Sequence, residues 1–418
     1  MRVTLAYGKN GLPVDFGRSV DVIRPGTSTP VRNPSKALAY ALRNPLGTQP
    51  LRDIARLGDQ VAIAISDVTR PAPNQAMVRA LLQELAHVPT DRITLLIANG
   101  LHRPCTSDEM KQMLGEDIMT AYDVVNHEAS DTANCRFVGT TSTGRPVAIN
   151  KTYLDANLRI TAGLIEPHFF AGFSGGAKLV LPGLASAASI MRNHDADLID
   201  DPMARWGHLA SNPIHREQRE AVRLAGCEFA LNVTVNAKRH ITGIYAGALE
   251  TAHDAGCAVL AREVMQEVDA AYDVVVTTNG GFPMDLNLYQ VVKGIDAGSQ
   301  IVRDKGHIIC AAECREGAGH GEFVQMLQSH RSPAEMLTSI MAPNHLRPDQ
   351  WQNQIFARAL NRATVHLHAA GLNDQDIRDS FCMPCPNVAD RVEELAGRDG
   401  RVCVLPQGPE TIPYISGS

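Results

Sequence analysis

The feature that most constrains the fold of this chain is a pair of short apolar runs separated by a segment of helical periodicity. The runs are Val61–Ser66 and Ile93–Ala98, and each has the length and residue types of a buried strand. Between them, apolar side chains recur at helical spacing from Met77 to Val88, with Asn74 placed to cap the helix. Strand, helix and strand in this order form a βαβ unit, which predicts a parallel sheet.

The rest of the chain continues this alternation, so we predict an α/β fold throughout. Further strands are predicted at 159–165, 230–235, 241–245, 273–278, 307–312, 364–369 and 401–405. Further helices are predicted at 248–265, 349–363 and 388–397. Because 418 residues exceed the size of a single hydrophobic core, we predict two α/β domains with largely parallel sheets, residues 1–268 and 269–418. Ligands of open parallel sheets lie beyond the carboxyl ends of the strands, so we expect the active site in the cleft between these domains.

Charge and composition exclude several classes of function. The formal net charge is −6 and no block of Lys and Arg is present, which argues against nucleic acid as a partner. No run of about 18 apolar residues and no signal-peptide pattern is found, so we expect a cytoplasmic protein that does not bind membranes. The nine cysteines are scattered, and we expect them to remain thiols. Cys382 and Cys385 have the spacing of a redox pair, but their place near the C-terminus and before Pro386 disfavours that role.

Polar residues follow both strands of the first βαβ unit. Asp67 and Arg70 come after the first strand, and His102 comes after the second. An arginine at a strand end can hold a carboxylate through two hydrogen bonds. His102 carries an imidazole, which can act as a general acid or base. The alternatives are a local Asp67–Arg70 ion pair and a histidine that only makes a structural hydrogen bond.

The richest segment runs from Glu166 to Lys178 and follows a further predicted strand. Its glycines allow the backbone to approach a ligand closely, and its amide groups can hold an anion. It is not a phosphate-binding P-loop, because Lys178 lies between Ala177 and Leu179 instead of the residues of that motif. In apolar surroundings Lys178 can be a desolvated nucleophile, and the alternative is a tight turn that carries a surface lysine.

Two further segments supply candidate ligands and hydrogen-bond donors. His194 has no second histidine or cysteine pair beside it, so a metal bound there needs most of its ligands from something other than side chains. Tyr289 and Lys293 share one face of a predicted helix start, and Gln290 flanks that face. On spacing alone, an ordinary solvated helix start is the better explanation of this second group.

Together these segments resemble the nickel-pincer lactate racemase family, in the same order and over most of the chain. The matching motifs are Ser-Asp-x-Thr-Arg-Pro from residue 66, Asn-Gly-x-His-Arg from 99 and Leu-Tyr-Gln-x-x-Lys-Gly from 288. The longest and most specific is Glu-Pro-His-x-x-Ala-Gly-Phe-Ser-Gly-Gly-x-Lys from residue 166. The resemblance implies an enzyme that racemises a small 2-hydroxy acid, with the catalytic and cofactor-binding residues mainly in the N-terminal α/β domain.

The resemblance also implies a cofactor, the nickel-pincer nucleotide. In this group a pyridinium-3,5-bisthiocarboxylic acid mononucleotide holds nickel through one carbon and two sulfur atoms. His194 matches the histidine that supplies the fourth nickel ligand, and Lys178 matches the lysine that can join the cofactor through a thioamide. The other positions expected to bind the cofactor are Asp67, Ser174, Gly175 and Gly176. The proteins that synthesise the cofactor are the expected partners for loading.

The residues that match catalytic positions are His102, His168, Gln290 and Lys293. The resemblance implies that one histidine takes the hydroxyl proton of the substrate while the Cα hydrogen leaves as hydride to the cofactor, giving a planar 2-oxo acid. Hydride returned to the other face, with a proton from the other histidine, gives the opposite enantiomer. Gln290 and Lys293 polarise the carbonyl oxygen. The positions matched to substrate binding are Arg70, Tyr289 and Trp351.

We expect the substrate to be lactate or another short aliphatic 2-hydroxy acid. Trp351 and the pair Phe169 and Phe170 favour a small, modestly apolar pocket, and no additional cationic cluster is present for a second carboxylate. The alternatives are a larger substrate, such as malate, an aromatic acid or a sugar acid, with the same cofactor. A nicotinamide-dependent dehydrogenase needs a Gly-x-Gly-x-x-Gly turn after a strand, and none occurs in that context. A non-enzymatic cofactor carrier has little use for two histidines, a lysine and a glutamine in one cleft.

Overall fold

The computed structural model describes residues 1–26, 28–319, 321–343 and 345–416. Thr27–His194 and Pro202–Arg262 form one compact unit, called the first unit below. The second unit consists of Met1–Gly26, Asp195–Asp201 and Glu263–Ser418.

The secondary structure alternates between strands and helices along most of the chain. The strands are β1 (Arg2–Leu5), β2 (Leu12–Asp15), β3 (Asp21–Val22), β4 (Val61–Ser66), β5 (Ile93–Ala98), β6 (Asp123–Asn126), β7 (Cys135–Thr140), β8 (Pro146–Asn150), β9 (Leu158–Leu164), β10 (Pro167–His168), β11 (Gly172–Phe173), β12 (Phe229–Val235), β13 (Ile241–Gly247), β14 (Met265–Val268), β15 (Tyr272–Thr278), β16 (Val302–Ala311), β17 (Thr364–His368), β18 (Met383–Pro384), β19 (Val402–Val404) and β20 (Ile412–Ile415). The α-helices are α1 (Pro34–Arg43), α2 (Leu51–Ile54), α3 (Asn74–Glu84), α4 (Ser107–Leu114), α5 (Glu116–Ala121), α6 (Lys151–Asp155), α7 (Ala187–Asn193), α8 (Ala196–Asp200), α9 (Pro213–Ala225), α10 (Leu249–Val264), α11 (Leu288–Ser299), α12 (Gly321–Gln328), α13 (Pro333–Ile340), α14 (Gln350–Arg362), α15 (Asp374–Asp379) and α16 (Val388–Ala396). Short 3₁₀ turns lie at Thr90–Arg92, Thr132–Asn134, Gly176–Leu179 and Gly408–Glu410.

The central sheet of the first unit has the strand order β13-β12-β9-β4-β5-β6. Neighbouring strands are parallel, except that β13 runs antiparallel to β12. Every residue of β4 is buried, as expected for a parallel strand covered on both faces. Ile63 and Ile65 belong to the hydrophobic core on one face, whereas Ala62 and Ala64 belong to the core on the other face, together with Leu179. The small alanine side chains let the turn that carries Leu179 lie close to the sheet.

The central sheet of the second unit has the order β18-β17-β16-β15-β19-β3 and is parallel throughout. Its edge strand β3 comes from the N-terminus, and Asp21 of β3 is in register with Cys403 of β19. The hairpin of β1 and β2 places Val3 in the same hydrophobic core as Val276 of β15. The short helix α8 also belongs here, since Nε2 of Gln354 in α14 donates to the carbonyl of Ala196 at 2.8 Å.

The predicted class, an α/β fold with largely parallel sheets, is confirmed by these two sheets. The observed division differs from the predicted ranges 1–268 and 269–418, because residues 1–26 and 195–201 belong to the second unit. Strands of two to four residues and a helix of five residues are too short to give a periodic pattern. Their membership of a unit is decided by contacts with distant segments, which sequence spacing does not show.

One local prediction was wrong, because Asn74 does not cap helix α3. Asn74 is the first residue of that helix, Pro73 occupies the cap position, and no side chain makes a cap hydrogen bond. The side-chain amide of Asn74 instead donates from Nδ2 to the backbone carbonyl of Ser66 at 2.9 Å. The residue therefore ties the start of α3 to the end of β4, next to the polar residues that follow this strand.

The described helices contain no segment with the length and apolarity needed to cross a bilayer. The cysteines in the described part of the chain are free, as predicted. Burial raises the pKa of the Cys382 thiol, and it raises the pKa of Cys385 to about 11. A reactive redox pair needs a lowered thiol pKa, whereas the pKa of each of these two thiols is raised.

A histidine pair with one buried member makes the stability of the second unit depend on pH. Nε2 of His366 lies 3.3 Å from Nδ1 of His307, and His366 is buried. Burial, and then the positive charges of His307 and Arg391, lower the pKa of His366 from 6.5 to about 4. As the pH falls below 6.5, the unfolded chain therefore takes up a proton that the folded chain does not. The contribution of His366 to stability is complete above pH 6.5 and is lost as the pH falls towards 4.

We expect the denaturant midpoint of unfolding to decrease as the pH is lowered through this window. The loss from His366 alone is up to about 3 kcal/mol. The variant His366→Leu should show a shallower pH dependence, measured by urea unfolding at a series of pH values. His240→Leu, which removes an exposed histidine, should keep the steep dependence. An unchanged slope in His366→Leu would contradict this account.

Candidate active site

Neighbouring strands of the first unit end at one edge of its sheet, and each is followed by polar residues. Strands β9, β4 and β5 are adjacent and parallel. Asp67 and Arg70 follow β4, His102 follows β5, and the segment 166–178 follows β9. The topology therefore brings three of the motifs found in the sequence to the carboxyl ends of adjacent strands, where α/β proteins bind their ligands.

Asp67 holds His102 in one orientation. Nδ1 of His102 lies 2.7 Å from Oδ2 of Asp67, and the hydroxyl of Thr69 donates to Oδ1 of Asp67 at 2.7 Å. Burial acts to raise the pKa of Asp67, but the hydrogen bonds from His102 and Thr69 and the charges of His102 and Arg70 outweigh it, so that this pKa is lowered. Because the carboxylate accepts from Nδ1–H, the neutral ring of His102 carries its lone pair on Nε2. The side chain of His102 is 40% exposed, so a ligand can reach this imidazole.

Arg70 pairs with Glu166 and not with Asp67. Nη1 of Arg70 lies 2.8 Å from Oε1 of Glu166. The local Asp67–Arg70 ion pair considered from the sequence is therefore replaced by a pair that joins the end of β4 to the end of β9. A guanidinium has more donors than one carboxylate oxygen uses, so Arg70 can bind a second carboxylate while it is held by Glu166.

His168 and Lys178 lie side by side in the segment after β9. Nζ of Lys178 lies 3.1 Å from Nε2 of His168, and the backbone N–H of Ala171 donates to Nδ1 of His168 at 3.3 Å. With Nδ1 accepting, the neutral ring of His168 carries its proton on Nε2, which is the opposite tautomer to that of His102.

His194 is buried and oriented as a metal ligand would be. Its Nδ1–H donates to the backbone carbonyl of Ile190 at 2.9 Å, so the lone pair lies on Nε2. The ring stands edge-on to Phe170, with the ring centroids 5.0 Å apart. Burial, and then the positive charge of Lys178 in its ammonium form, lower the pKa of His194 to about 3. The imidazole is therefore neutral near pH 7, and its Nδ1–H is fixed by a backbone acceptor as in protein metal sites.

Ser174, Gly175 and Gly176 were expected to make room for a ligand, and the structure gives them another role. The Ser174 hydroxyl donates to the backbone carbonyl of Leu164 at 2.7 Å, and all three residues are buried. A Cβ at Gly175 would lie 3.0 Å from the carbonyl oxygen of Leu164, and a Cβ at Gly176 would lie 2.6 Å from Cγ of His253. These glycines are required by the packing of the chain on itself. Their contact with a cofactor stays a prediction.

The second unit carries the group predicted around the start of α11. Nζ of Lys293 donates to Oε1 of Gln290 at 3.0 Å, so the two side chains form a hydrogen-bonded pair. The hydroxyl of Tyr289 donates to Oδ1 of Asp349 at 3.0 Å. Tyr289 and Trp351 are both buried. The solvated helix start that spacing alone favoured is therefore wrong for this segment.

Several residues of the site were not singled out from the sequence. Glu166 was noted only as the start of its motif, yet it holds Arg70. Oδ1 of Asn232, in β12, accepts from the backbone N–H of Gly176 at 2.9 Å, and Nε2 of His253, in α10, lies 2.8 Å from the carbonyl oxygen of Ser174. A polar residue inside the apolar run of β12 is the one sequence signal that could have indicated Asn232. The position of His253 follows from the tertiary fold and has no local signal.

Two family models and two curated relatives match most of this chain. The chain matches the family Lactate racemase N-terminal domain over residues 7–207 and the family Lactate racemase C-terminal domain over residues 267–412. The lactate racemase of Thermoanaerobacterium thermosaccharolyticum is 36% identical over 420 residues, which cover 98% of each chain. The lactate racemase of Lactiplantibacillus plantarum is 38% identical over 378 residues, 88% of each chain.

Two solved structures extend the comparison to three dimensions. The lactate racemase apoprotein from Thermoanaerobacterium thermosaccharolyticum matches with a TM-score of 0.93 and 35% identity, covering 99% of this chain and all of that one. A Thermotoga maritima protein matches with a TM-score of 0.65 and 16% identity, covering 92% of this chain and 97% of that one. The second match shows likeness of fold alone.

The fold, the site and these matches define the class of the protein, which is an isomerase of the racemase type. The chain belongs to the lactate racemase family. The resemblance found in the sequence motifs is thereby confirmed.

Proposed function

We propose that this racemase interconverts the D and L enantiomers of lactate with a nickel-pincer nucleotide as cofactor. The observation that carries the proposal is the placement of two histidines after the two strands that flank β4, His102 with Nδ1 held by Asp67 and His168 with Nδ1 held by the backbone N–H of Ala171. Inversion of a 2-hydroxy acid needs a base for the hydroxyl proton and an acid that returns a proton. One histidine that starts as the neutral imidazole and one that starts as the imidazolium can perform both tasks and exchange them in the reverse direction.

The surroundings of His194 fit a metal whose other ligands belong to the cofactor. The buried neutral ring offers Nε2 as a ligand, because Nδ1–H is bonded to Ile190. Within the described ranges, the group of three metal-ligating side chains close enough to share an ion is His215, His253 and Asp254, which does not include His194. We infer that a pincer-type nucleotide provides the remaining nickel ligands. When bound, this cofactor supplies a carbon that takes up the Cα hydrogen of the substrate as hydride and gives it back.

Lys178 fits the anchor of such a cofactor. Its Nζ lies 3.1 Å from Nε2 of His168 and 5.4 Å from the centroid of the Phe170 ring. The amine form of Lys178, in which Nζ can accept from a histidine Nε2–H, is the nucleophile that an amide-type bond to a cofactor requires. The turn that carries Lys178 is fixed at Gly176 by Asn232, so the amine has a defined position.

Side chains of the protein transfer the hydroxyl proton of the substrate and stabilise the charges that this transfer produces. His102 takes the hydroxyl proton on Nε2, and the carboxylate of Asp67 stabilises the imidazolium that results. His168, in its imidazolium form, returns a proton from Nε2 and is left as the neutral imidazole. We also propose that the hydrogen-bonded pair of Lys293 and Gln290 donates to the carbonyl oxygen of the 2-oxo acid, because such donors stabilise the charge that develops there.

Arg70 is the proposed binding group for the carboxylate of the substrate. The variant Arg70→Lys should raise KM for lactate by roughly tenfold to a hundredfold, the size of losing a charge-assisted hydrogen bond of about 1.5–3 kcal/mol. Steady-state kinetics on cofactor-loaded protein measures this change. Arg79→Lys is the matched control, because Arg79 is in a surface ion pair with Asp117 at 2.7 Å. A KM for Arg70→Lys equal to that of the control would show that another residue binds the carboxylate.

The proposed function is tested with protein produced together with the cofactor-synthesis proteins, which we propose as its partners for loading. Pure D-lactate is added, and chiral chromatography follows the enantiomers with time. The expected result is a mixture that approaches equal amounts of D-lactate and L-lactate without added nicotinamide. If the protein inverted a larger 2-hydroxy acid and not lactate, the proposed substrate would be wrong and the proposed mechanism would stand. Absence of inversion for every 2-hydroxy acid tried would contradict the proposal.

A further inference from the structure

The first unit contains a cluster of metal-ligating side chains that does not include His194, next to the segment that carries Lys178. It consists of His215 from α9 together with His253 and Asp254 from α10. One ligand atom from each residue lies within 4.8 Å of the other two. His253 connects the cluster to the active-site segment, because its Nε2 lies 2.8 Å from the backbone carbonyl oxygen of Ser174.

The buried ring of His215, whose nitrogens are unbonded, distinguishes this cluster from an ordinary structural contact. Its side chain is 1% exposed, and neither Nδ1 nor Nε2 has a hydrogen-bond partner. Gln218 is the side chain placed to interact with this ring, and its Oε1 also has no partner in hydrogen-bond geometry. Buried polar atoms are nearly always bonded, because leaving them unbonded costs free energy. An imidazole without a partner at this depth therefore points to a bound ligand.

His253 is the second nitrogen ligand that the cluster offers. Its Nε2–H donates to the carbonyl of Ser174, so the lone pair lies on Nδ1. The rings of His215 and His253 are stacked, with centroids 5.5 Å apart and planes 25° apart. Burial is the main cause that lowers the pKa of both rings, so both are neutral at physiological pH. A metal therefore displaces no proton from either ring.

We propose that His215, His253 and Asp254 form a binding site for a transition-metal dication, Zn²⁺ in the first place, separate from the nickel site at His194. Two imidazoles and one carboxylate are a ligand set that suits zinc, with a water molecule in the fourth position. Ligand atoms of a tetrahedral zinc site lie about 3.3 Å apart, which follows from bond lengths of about 2.0 Å. The ligand atoms of the present cluster lie within 4.8 Å of one another, so metal binding requires them to move closer together by up to about 1.5 Å.

Arg219 competes with a metal for Asp254. Nη2 of Arg219 forms a close ion pair with Oδ1 of Asp254. Nη1 of the same arginine lies 3.6 Å from Oε2 of Glu250, so the guanidinium has a second carboxylate on the same helix. Metal binding requires Asp254 to exchange Arg219 for the ion, while Arg219 stays with Glu250. Removal of the Arg219 charge should therefore strengthen metal binding, whereas a purely structural histidine pair predicts no such effect.

The test uses the full chain produced without cofactor-synthesis proteins and freed of metal by a chelator. Zn²⁺ is titrated against a chromophoric competitor, and zinc retained after gel filtration is measured by mass spectrometry. We expect about one tight zinc per chain, a site weakened at least about tenfold by Asp254→Asn and by His215→Gln, and a site tightened by Arg219→Met. Asp254 is on the surface, so its variant remains informative if His215→Gln does not fold.

Two matched variants complete the design. Asp155→Asn alters another surface aspartate that pairs with an arginine, Arg136, at 2.7 Å, and His194→Ala alters the proposed nickel ligand. Both should retain zinc with the affinity of the unmodified chain. Zinc binding that is absent, or that is unaffected by Asp254→Asn and Arg219→Met, would overturn the proposal. Loss of zinc in His194→Ala would overturn it as well, because the ion would then belong to the cofactor site. None of these outcomes depends on racemase activity, so the proposed function is tested separately.

Discussion

Replacement of His194 by alanine should remove racemase activity while the cofactor remains attached at Lys178. The variant loses the one imidazole whose Nε2 is oriented by the carbonyl of Ile190. Loss of even an outer contact of a metal site costs roughly tenfold to a hundredfold in affinity, and loss of a ligand costs at least that much. We therefore expect nickel per chain to fall at least about tenfold and turnover to fall to background. Nickel is measured by elemental mass spectrometry, and the attached cofactor is measured by intact mass under denaturing conditions.

His127→Gln is the matched control for this experiment. His127 is also buried, its Nε2 lies 2.9 Å from the carbonyl oxygen of Ala185, and burial lowers its pKa. The control therefore loses a buried histidine of the same unit without loss of a proposed metal ligand, and it should keep nickel and activity. Full nickel content and turnover in His194→Ala would contradict the assignment of the nickel ligand. If the mass increase is lost on denaturation, the cofactor is not covalently attached to Lys178. The assignment of His194 as the nickel ligand is unaffected by that result.

The second large effect is a loss of turnover on substitution of the two proposed acid–base histidines, His102 and His168. His102→Gln and His168→Gln should each lower kcat by about 10²–10⁴, the usual contribution of a general acid or base. Both variants should retain nickel, because neither residue is the proposed ligand. The equilibrium constant between enantiomers is one, so kcat/KM must fall by the same factor for D-lactate and for L-lactate. Chiral chromatography of both directions, together with nickel analysis, measures these quantities.

The variant Asp67→Asn distinguishes two contributions of Asp67, the orientation of the His102 ring and the stabilisation of its imidazolium form. The asparagine keeps the size of the side chain but removes the charge that stabilises the imidazolium of His102. We expect a loss of kcat smaller than that of His102→Gln, with nickel content unchanged.

If either histidine variant kept full turnover, that histidine would have no role in proton transfer. If it lost nickel instead, its role would be in holding the cofactor.

The sequence predicted the central strands and long helices because their patterns are local. Val61–Ser66 and Ile93–Ala98 are buried on both faces of a parallel sheet, so nearly every residue is apolar and the strand is recognisable by itself. The N-terminal strands could not be assigned in this way. Asp21 and Val22 form a strand only because β19 lies beside them, and that pairing joins the two ends of the chain.

The site was predicted in its residue types and only in part in its contacts. The motifs indicated His102, His168, Lys178 and His194, but no spacing rule tells which partner each of them has. Arg70 binds Glu166 from the segment after another strand, and this pairing depends on the order of strands in the sheet. The glycines after Ser174 show a further limit, because a glycine needed for packing and a glycine needed for ligand approach have the same sequence pattern.

The central claim is that the hydrogen on Cα moves as hydride while the histidines move only the hydroxyl proton. It is tested most directly with D-lactate that carries deuterium on Cα, incubated with cofactor-loaded protein in ordinary water. Mass spectrometry of the separated enantiomers then gives the deuterium content of the L-lactate formed. The account predicts that this product retains its deuterium, because the hydride returns without exchange with solvent. Loss of the deuterium to water at the rate of racemisation would contradict it, since the histidines would then remove the Cα hydrogen as a proton.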